Sequence, residues 1–379
     1  MRVLVVNAGS STLKLTLLAC PHPRGCAREG DGEDAVLAER ELATPSARID
    51  PVELSEALSS DLRTADAVGH RVVHGGKRFR GAVRIDADVE RRLRELVDLA
   101  PLHQPKSLAA LDAVTEILPD VPAVACFDTA FHATMPPAAT TYALPAQWRE
   151  RWGLRRYGFH GLSHAWVARR APELIVRDAR GLRIVSCHLG AGASLCAIKD
   201  GVSLDTTMGF TPLEGLVMAT RSGSVDPGML LWLLEHERLS AADLADTLEH
   251  RSGLLGLAGS ADMREILLRA EASDPSAQLA LDVYIHRLRA GVAAMAAALD
   301  GIDILVFTGG VGERSHEIRA LVAAGLRFLG VSVDDARNRE ARGDGAIGAD
   351  GTTVETLVLR AREDIEIARQ VRAALPGMR

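Results

Sequence analysis

The sequence contains no stretch approaching the roughly 18 consecutive apolar residues that a helical membrane span requires. Nor does it open on a secretory signal: the apolar run Val3–Val6 is short and leads straight into Asn7 and Gly9. Cysteine is scarce and scattered, at Cys20, Cys26, Cys126, Cys187 and Cys196, with no C-x-x-C pair. An odd, dispersed set excludes a disulfide framework and a cysteine-built zinc site, and fits reduced thiols in the cytoplasm. Lysine is nearly absent, represented by Lys14, Lys77, Lys106 and Lys199, while arginine carries the rest of the positive charge. A global basic field is also missing. The formal net charge is -6, which argues against a nucleic-acid partner. There is no low-complexity segment and no flexible linker. What remains is an ordinary globular composition, 47% hydrophobic and 25% charged, on a chain of 379 residues. That length exceeds one typical core and suits two domains.

The first seventeen residues organise the reading. Val3–Val6 reads as a buried strand, and a second apolar stretch begins at Leu13. Between them lies Asn7-Ala8-Gly9-Ser10-Ser11-Thr12, a turn of small residues and hydroxyls followed by Lys14. Such a hairpin turn is either a plain connection or a phosphate cradle of backbone N–H and hydroxyl donors. The pattern recurs at Ile184–Ile198 (IVSCHLGAGASLCAI), and a third glycine-rich turn follows an apolar run at Ile304–Ser315 (ILVFTGGVGERS). Two such hairpins far apart point to two similar domains, each aiming a phosphate-binding turn at a shared cleft.

Other segments carry charge where burial makes it costly. Ala67–Gly76 (AVGHRVVHGG) places His70 and Arg71 in an apolar strand that ends at a glycine pair. Asp88–Ala100 reads as an amphipathic helix with Leu93, Leu96 and Leu99 inward. Pro101–Pro105 interrupts it, and Ser107 is placed to cap a helix through Leu118. Val121–Phe127 is a strand delivering Asp128 at its carboxyl end, where open α/β sheets present ligand-binding groups. In RRYGFHGLSH (Arg155–His164), His160 and His164 have the spacing of one helix face. No acid follows at zincin spacing, so zinc is discounted. A helix is expected over Ala165–Ala171. Asp205–Gly228 (DTTMGFTPLEGLVMATRSGSVDPG) is too rich in Gly, Thr and Pro for regular structure and too long for a passive link, and Arg221 is its notable charge. Helices are expected over Met229–Glu237, Ala241–His250 and about Ser276–Leu299, the last with Val283, Leu288, Val292 and Met295 inward. Ser315 caps a further helix, and Glu363–Ala374 forms the last one.

Taken in order, these stretches resemble the acetate kinase family, of the actin, sugar-kinase and chaperone-ATPase superfamily, from residue 1 to about residue 370. GFTPLEGLVMATRSGSVDPG and RRYGFHGLSH carry the likeness most specifically. The resemblance implies an α/β fold of two similar ribonuclease H-like domains around a nucleotide cleft: residues 1–130 with 365–379, and residues 131–364, the second holding the adenosine site and dimer contacts. It implies reversible transfer of the ATP γ-phosphoryl group to acetate, with Mg2+ or Mn2+, in a cytoplasmic homodimer without nucleic-acid or membrane partners.

The same resemblance implies the site. Asn7 and Glu363 hold the metal. Ser10, Thr12 and Lys14 lie along the phosphates. Arg71 and Arg221 grip the carboxylate and the phosphoryl group, His160 stabilises the transferring oxygens, and Asp128 is the essential acid. Val73, Leu102, Phe159 and Pro212 form the methyl pocket. The stretch His188, Leu189, Gly190, Ala191 and Gly192 contacts ATP, as do Asp262, Met263 and Arg264, and Gly310, Val311, Gly312, Glu313 and Arg314. Three departures from the family pattern bear on the nucleotide: Ala191 and Arg314 each replace a usual asparagine, and Ala361-Arg362 replaces a Thr-Asn/Asp pair. The competing readings are a propionate or butyrate kinase and a non-catalytic, nucleotide-gated binding protein. The intact Arg71, Asp128, His160 and Arg221 set disfavours the latter.

Overall fold

Leu4 and Val6 pack on one face of a sheet while Val3 and Val5 pack on the other, so the run Val3–Val6 is apolar without alternation. This sheet belongs to the first of two units in a computed structural model that describes residues 1–9, 12–19, 34–43, 51–58, 61–99 and 104–377. The first unit comprises Met1–Ala133, Gly161–Trp166 and Arg362–Arg379; the second comprises Thr134–His160 and Val167–Ala361.

In the first unit, β1 (Arg2–Ala8), β2 (Thr12–Ala19) and β3 (Ala35–Ala43) form an antiparallel meander. β4 (Ala67–Val72) lies parallel to β1. The short β5 (Val83–Arg84) edges β6 (Ala123–Phe127), which runs parallel to β4. The order is β3-β2-β1-β4-β6-β5. On one face, Leu54, Ala110 and Val114 of two helices, with Leu58 just past the first of them, cover Leu4, Val6, Leu15 and Val68. On the other face, Ile367, Ala368 and Val371 of the last helix, Glu363–Ala374, cover Val3, Val5, Leu18 and Cys126.

The second unit repeats the plan. β7 (Arg183–Leu189), β8 (Ala193–Lys199) and β9 (Val202–Thr206) are the antiparallel meander. β10 (Ile304–Thr308) is parallel to β7, and the short β11 (Gly345–Ala346) edges β12 (Glu355–Val358), which is parallel to β10. The order is β11-β12-β10-β7-β8-β9, so both sheets run meander, parallel strand, parallel strand, short antiparallel edge. This is the pair of similar ribonuclease H-like sheets that the resemblance implies. The helices Pro227–His236 and Pro275–Ala298 both start at Asp-Pro, the aspartate accepting from the first-turn N–H groups and the proline occupying a position that needs no donor.

Local differences from the sequence reading have physical causes. The helix expected over Asp88–Ala100 spans Ala87–Arg94, capped by Asp86, and gives way to a 3-10 turn at Val97–Leu99. Leu93 is fully buried, whereas Leu96 and Leu99 are half-buried. The next helix begins at Gln104, upstream of Ser107. Pro105 falls in its first turn, where a proline is tolerated, and Ser107 is buried within the helix instead of capping it. In Pro275–Ala298, Val283 is half-buried and Tyr284 and Ile285 turn inward. The helix expected over Ala165–Ala171 runs from Gly161 to Leu174. The third glycine-rich turn winds into a short helix, Gly309–Arg314. Ser10 and Leu102 lie outside the described residues.

Candidate active site

The parallel strands of the first unit deliver their chemistry at their carboxyl ends. Asn7 lies at the end of β1, Arg71 near the end of β4, and Asp128 directly after β6. Arg71 and Asp128 form a forked pair: Nη2 donates to Oδ2 at 2.6 Å, and Nε lies 3.1 and 3.2 Å from the two carboxylate oxygens. Arg71 Nη1 donates to Asn7 Oδ1 at 3.1 Å, and Asn7 Nδ2 donates to Glu363 Oε2 at 3.0 Å. Glu363, the first residue of the last helix, stands 4.0 Å from Arg71 Nε. Side-chain exposure is 15% for Arg71, 1% for Asp128 and 14% for Glu363. Burial disfavours the Arg71 cation, but Asp128 and Glu363 outweigh it and hold the guanidinium above its ordinary range. Burial pushes the Asp128 carboxyl above its usual value, and Arg71 pulls it back. The cluster is therefore one cation among two carboxylates and a carboxamide.

In the second unit the turn of the β7–β8 hairpin is the focus. A Cβ on Gly192 would lie 3.0 Å from Arg221 Nη2 and 3.1 Å from His160 Nε2, so only glycine leaves room for both groups. His160 Nδ1 is 3.0 Å from the hydroxyl of Ser194, a fully buried residue on β8. The His160 and His188 rings lie 4.4 Å apart. His160 adopts φ 55°, ψ 23°, a left-handed conformation that costs a non-glycine residue energy and recurs at functional sites. It is thus the cap of the following helix. The shared helix face expected for His160 and His164 does not form, and His164 is buried inside the helix. Arg221 Nη1 donates to Pro212 O at 2.8 Å, and its Nε stands 3.9 Å from Glu249 Oε2.

The Asp205–Gly228 stretch completes β9 and then runs without helix or strand to Pro227, held by a pin. Arg156 Nη1 reaches the carbonyls of Thr206, Thr207 and Met208 at 3.2, 3.0 and 3.0 Å, and Nη2 bonds Glu214 at 2.7 Å. Tyr142 donates to the other oxygen of Glu214 at 2.5 Å.

The third glycine-rich segment lies against the second hairpin. Gly309 has φ 77°, and a Cβ there would meet Leu189 O at 2.8 Å. Glu313 accepts from Gly309 N and Ala361 N. The buried Arg319 donates to the carbonyls of Gly312 and Glu313 and is itself held by Asn338. The segment Gly309–Gly312 is thereby fixed beside Leu189 and Cys187 of β7, with Arg314 exposed. Asp262 caps the helix Met263–Glu271 and pairs with the exposed Arg264, while Met263 points into the core. Lys14 pairs with Glu39 across the β2–β3 ladder at 3.0 Å, and Thr12 O accepts from Gly9 N. Ala191 O accepts from Ala219 N. Val73, Phe159 and Pro212 are buried.

Ser194, Glu249 and the Tyr142–Arg156–Glu214 pin were not singled out by sequence reasoning. Their partners come from tens of residues away, and only Arg156, inside RRYGFHGLSH, and Glu214, inside GFTPLEGLVMATRSGSVDPG, lay in stretches with a local signal.

Among the described residues no three His, Cys, Asp or Glu side chains converge as a metal cage. The oxygen donors of Asn7 and Glu363 nonetheless fit a hard divalent cation of the Mg2+ type, which takes few protein ligands and completes its shell with water and substrate oxygens.

Comparison with known proteins identifies the family. The Acetokinase family model matches residues 2–369. The acetate kinase of Acetivibrio thermocellus is 42% identical over 393 aligned positions, covering 98% of each chain. The crystal structure of Porphyromonas gingivalis acetate kinase has a TM-score of 0.85 at 38% identity, covering 99% of both chains. That of a propionate kinase from Francisella tularensis has a TM-score of 0.87 at 33% identity, covering 98% of this chain and 99% of that one. The chain belongs to the acetokinase family.

Proposed function

We propose that the protein catalyses the reversible transfer of the ATP γ-phosphoryl group to acetate to give acetyl phosphate and ADP. A carboxylate oxygen of acetate attacks the γ-phosphorus, and the bond from that phosphorus to the bridging oxygen of ADP breaks. Acetate is already ionised at neutral pH, so no base is needed to activate it. Asp128, forked onto Arg71, orients that guanidinium. In the tautomer whose Nδ1 accepts from the Ser194 hydroxyl, His160 carries its proton on Nε2 and offers it to an oxygen of the transferring group. Arg71 and Arg221 offset the repulsion of two anions brought together, the main task in phosphoryl transfer. Mg2+ or Mn2+ held by Asn7 and Glu363 would supply further charge neutralisation at the phosphates. The turns at Gly9–Thr12, His188–Gly192 and Gly310–Arg314, with Asp262–Arg264, are the nucleotide contacts in this reading. The observation that carries it is the approach of Arg221 Nη2 and His160 Nε2 to the same glycine of a hairpin turn.

Acetate is the preferred acceptor in this reading, with Val73, Leu102, Phe159 and Pro212 bounding the methyl group. The likeness to a propionate kinase favours propionate as a second substrate. One methylene discriminates by only about 1–3 kcal/mol. Turnover across formate, acetate, propionate and butyrate tests this. Acetate should give the highest kcat/KM, and Val73→Ala should shift preference toward propionate and butyrate, chiefly through KM. An unchanged preference in the variant would assign the size limit to other residues.

The assembly is a homodimer formed by the second unit, acting in the cytoplasm. The helix Pro275–Ala298 spends its apolar face on its own core. The helix Pro227–His236 reads PGMLLWLLEH yet has no buried residue, with Leu231 60% and Trp232 48% exposed. An exposed apolar helix of this kind is suited to cover by a second copy. No helix among the described residues is long and apolar enough to cross a membrane.

A further inference from the structure

We infer that Glu249 is a positioning residue for Arg221, fixing which edge of its guanidinium meets the substrate anion and tempering its charge. The inference rests on the proposed role of Arg221 as an anion-gripping group. Glu249 lies in the last turn of the helix Ala241–His250, whose end continues into a backbone strap, Ser252–Leu255, across the Arg221 loop. Ser222 N donates to Leu248 O, Ser252 N to Thr220 O, Leu254 N to Met218 O and Leu255 N to Ala219 O, all between 2.9 and 3.0 Å. The Thr220 hydroxyl donates to Glu249 O at 2.8 Å. A Cβ on Gly253 would meet Arg221 O at 2.6 Å, so strap and loop are in backbone contact. The carboxylate is therefore held in register with the arginine.

The guanidinium is engaged on two sides. Glu249 Oε2 stands 3.9 Å from Nε, and Pro212 O accepts from Nη1. Nη2 is the nitrogen directed at Gly192 and His160. The two side chains are only 14% and 13% exposed, so water screens their attraction weakly. Burial raises the Glu249 carboxyl above its usual value, and Arg221 opposes that rise. A carboxylate so placed has two consequences. It turns the Nη2 edge toward the hairpin turn, and it competes with an incoming anion for the same positive charge.

The Glu249→Gln variant separates these effects because it keeps the side chain's shape but removes the charge. It should lower KM for acetate threefold to tenfold while leaving KM for ATP within twofold. Glu249→Ala, which also removes the side chain packed beside the guanidinium, should lower kcat at least tenfold. An acetate KM in Glu249→Gln that is unchanged or raised overturns the inference. If the wild-type protein turned over no carboxylate, the functional reading would fail on its own. The pair would then be judged by calorimetric titration with inorganic phosphate, where the Gln variant should bind threefold to tenfold more tightly and equal affinity would refute it.

Discussion

At the scale of single residues, the groups legible in the sequence were those whose chemistry is conspicuous where they stand. Arg71 is a charge in an apolar strand, Asp128 an acid at a strand's end, and His160 and Arg221 lie in dense, unusual motifs. Their partners were not legible. Nothing near Ser194 announces a hydrogen bond to His160, thirty-four residues earlier, and nothing near Glu249 announces Arg221. Such pairs are created by tertiary packing, which a local pattern does not encode. Arg221 also gives the sharpest residue-scale prediction. If its fixed charge offsets anion repulsion, Arg221→Ala should lower kcat by roughly 10²–10⁵-fold, the scale of arginine fingers. Lysine should rescue it only in part because a point charge lacks the planar fork. Measuring kcat and thermal melting on one sample decides the matter. A lowered melt with near-normal kcat would make Arg221 a structural loop residue.

At the scale of elements, the hairpins and most of the helices followed from hydrophobic pattern and punctuation, while the Asp-Pro starts at Pro227 and Pro275 lie upstream of the expected Met229 and Ser276. Boundaries slipped where a local rule has an exception: a proline allowed in a first turn at Pro105, a histidine forced left-handed at 160. Strand β4 holds a further consequence of burial. His70 is 1% exposed, and neither ring nitrogen has a hydrogen-bond partner among the described residues. Burial lowers its pKa from 6.5 to about 4. Above pH 6.5 the ring is neutral in both folded and unfolded states, and stability does not depend on it. Between 6.5 and about 4 the unfolded chain takes up the proton and the folded one does not, so stability falls as pH falls. The full difference is roughly 3 kcal/mol. Thermal melting followed from pH 7 to pH 4.5 should show this decline, and His70→Leu should flatten it. Equal acid slopes in the two proteins would place the acid lability in other groups.

At the scale of the whole molecule, the repeated hairpin motif foretold two similar sheets, and both have the same strand order. The return of the last helix to the first sheet is not written in any local pattern; it is imposed by the apolar face of Ile367, Ala368 and Val371 meeting Val3 and Val5. The exposed helix Pro227–His236 sets an expectation for assembly. Light scattering at micromolar concentration should give a dimer, and Leu231→Glu should shift it toward monomer; a wild-type monomer would contradict the proposed interface. The central claim, phosphoryl transfer from ATP to a carboxylate, is tested most directly by assaying acetyl phosphate and ADP together in one reaction of the purified protein with ATP, Mg2+ and acetate. The account predicts that the two products accumulate in equal amounts and that both vanish when acetate is omitted. ADP formed without acetyl phosphate, or at the same rate without acetate, would contradict it.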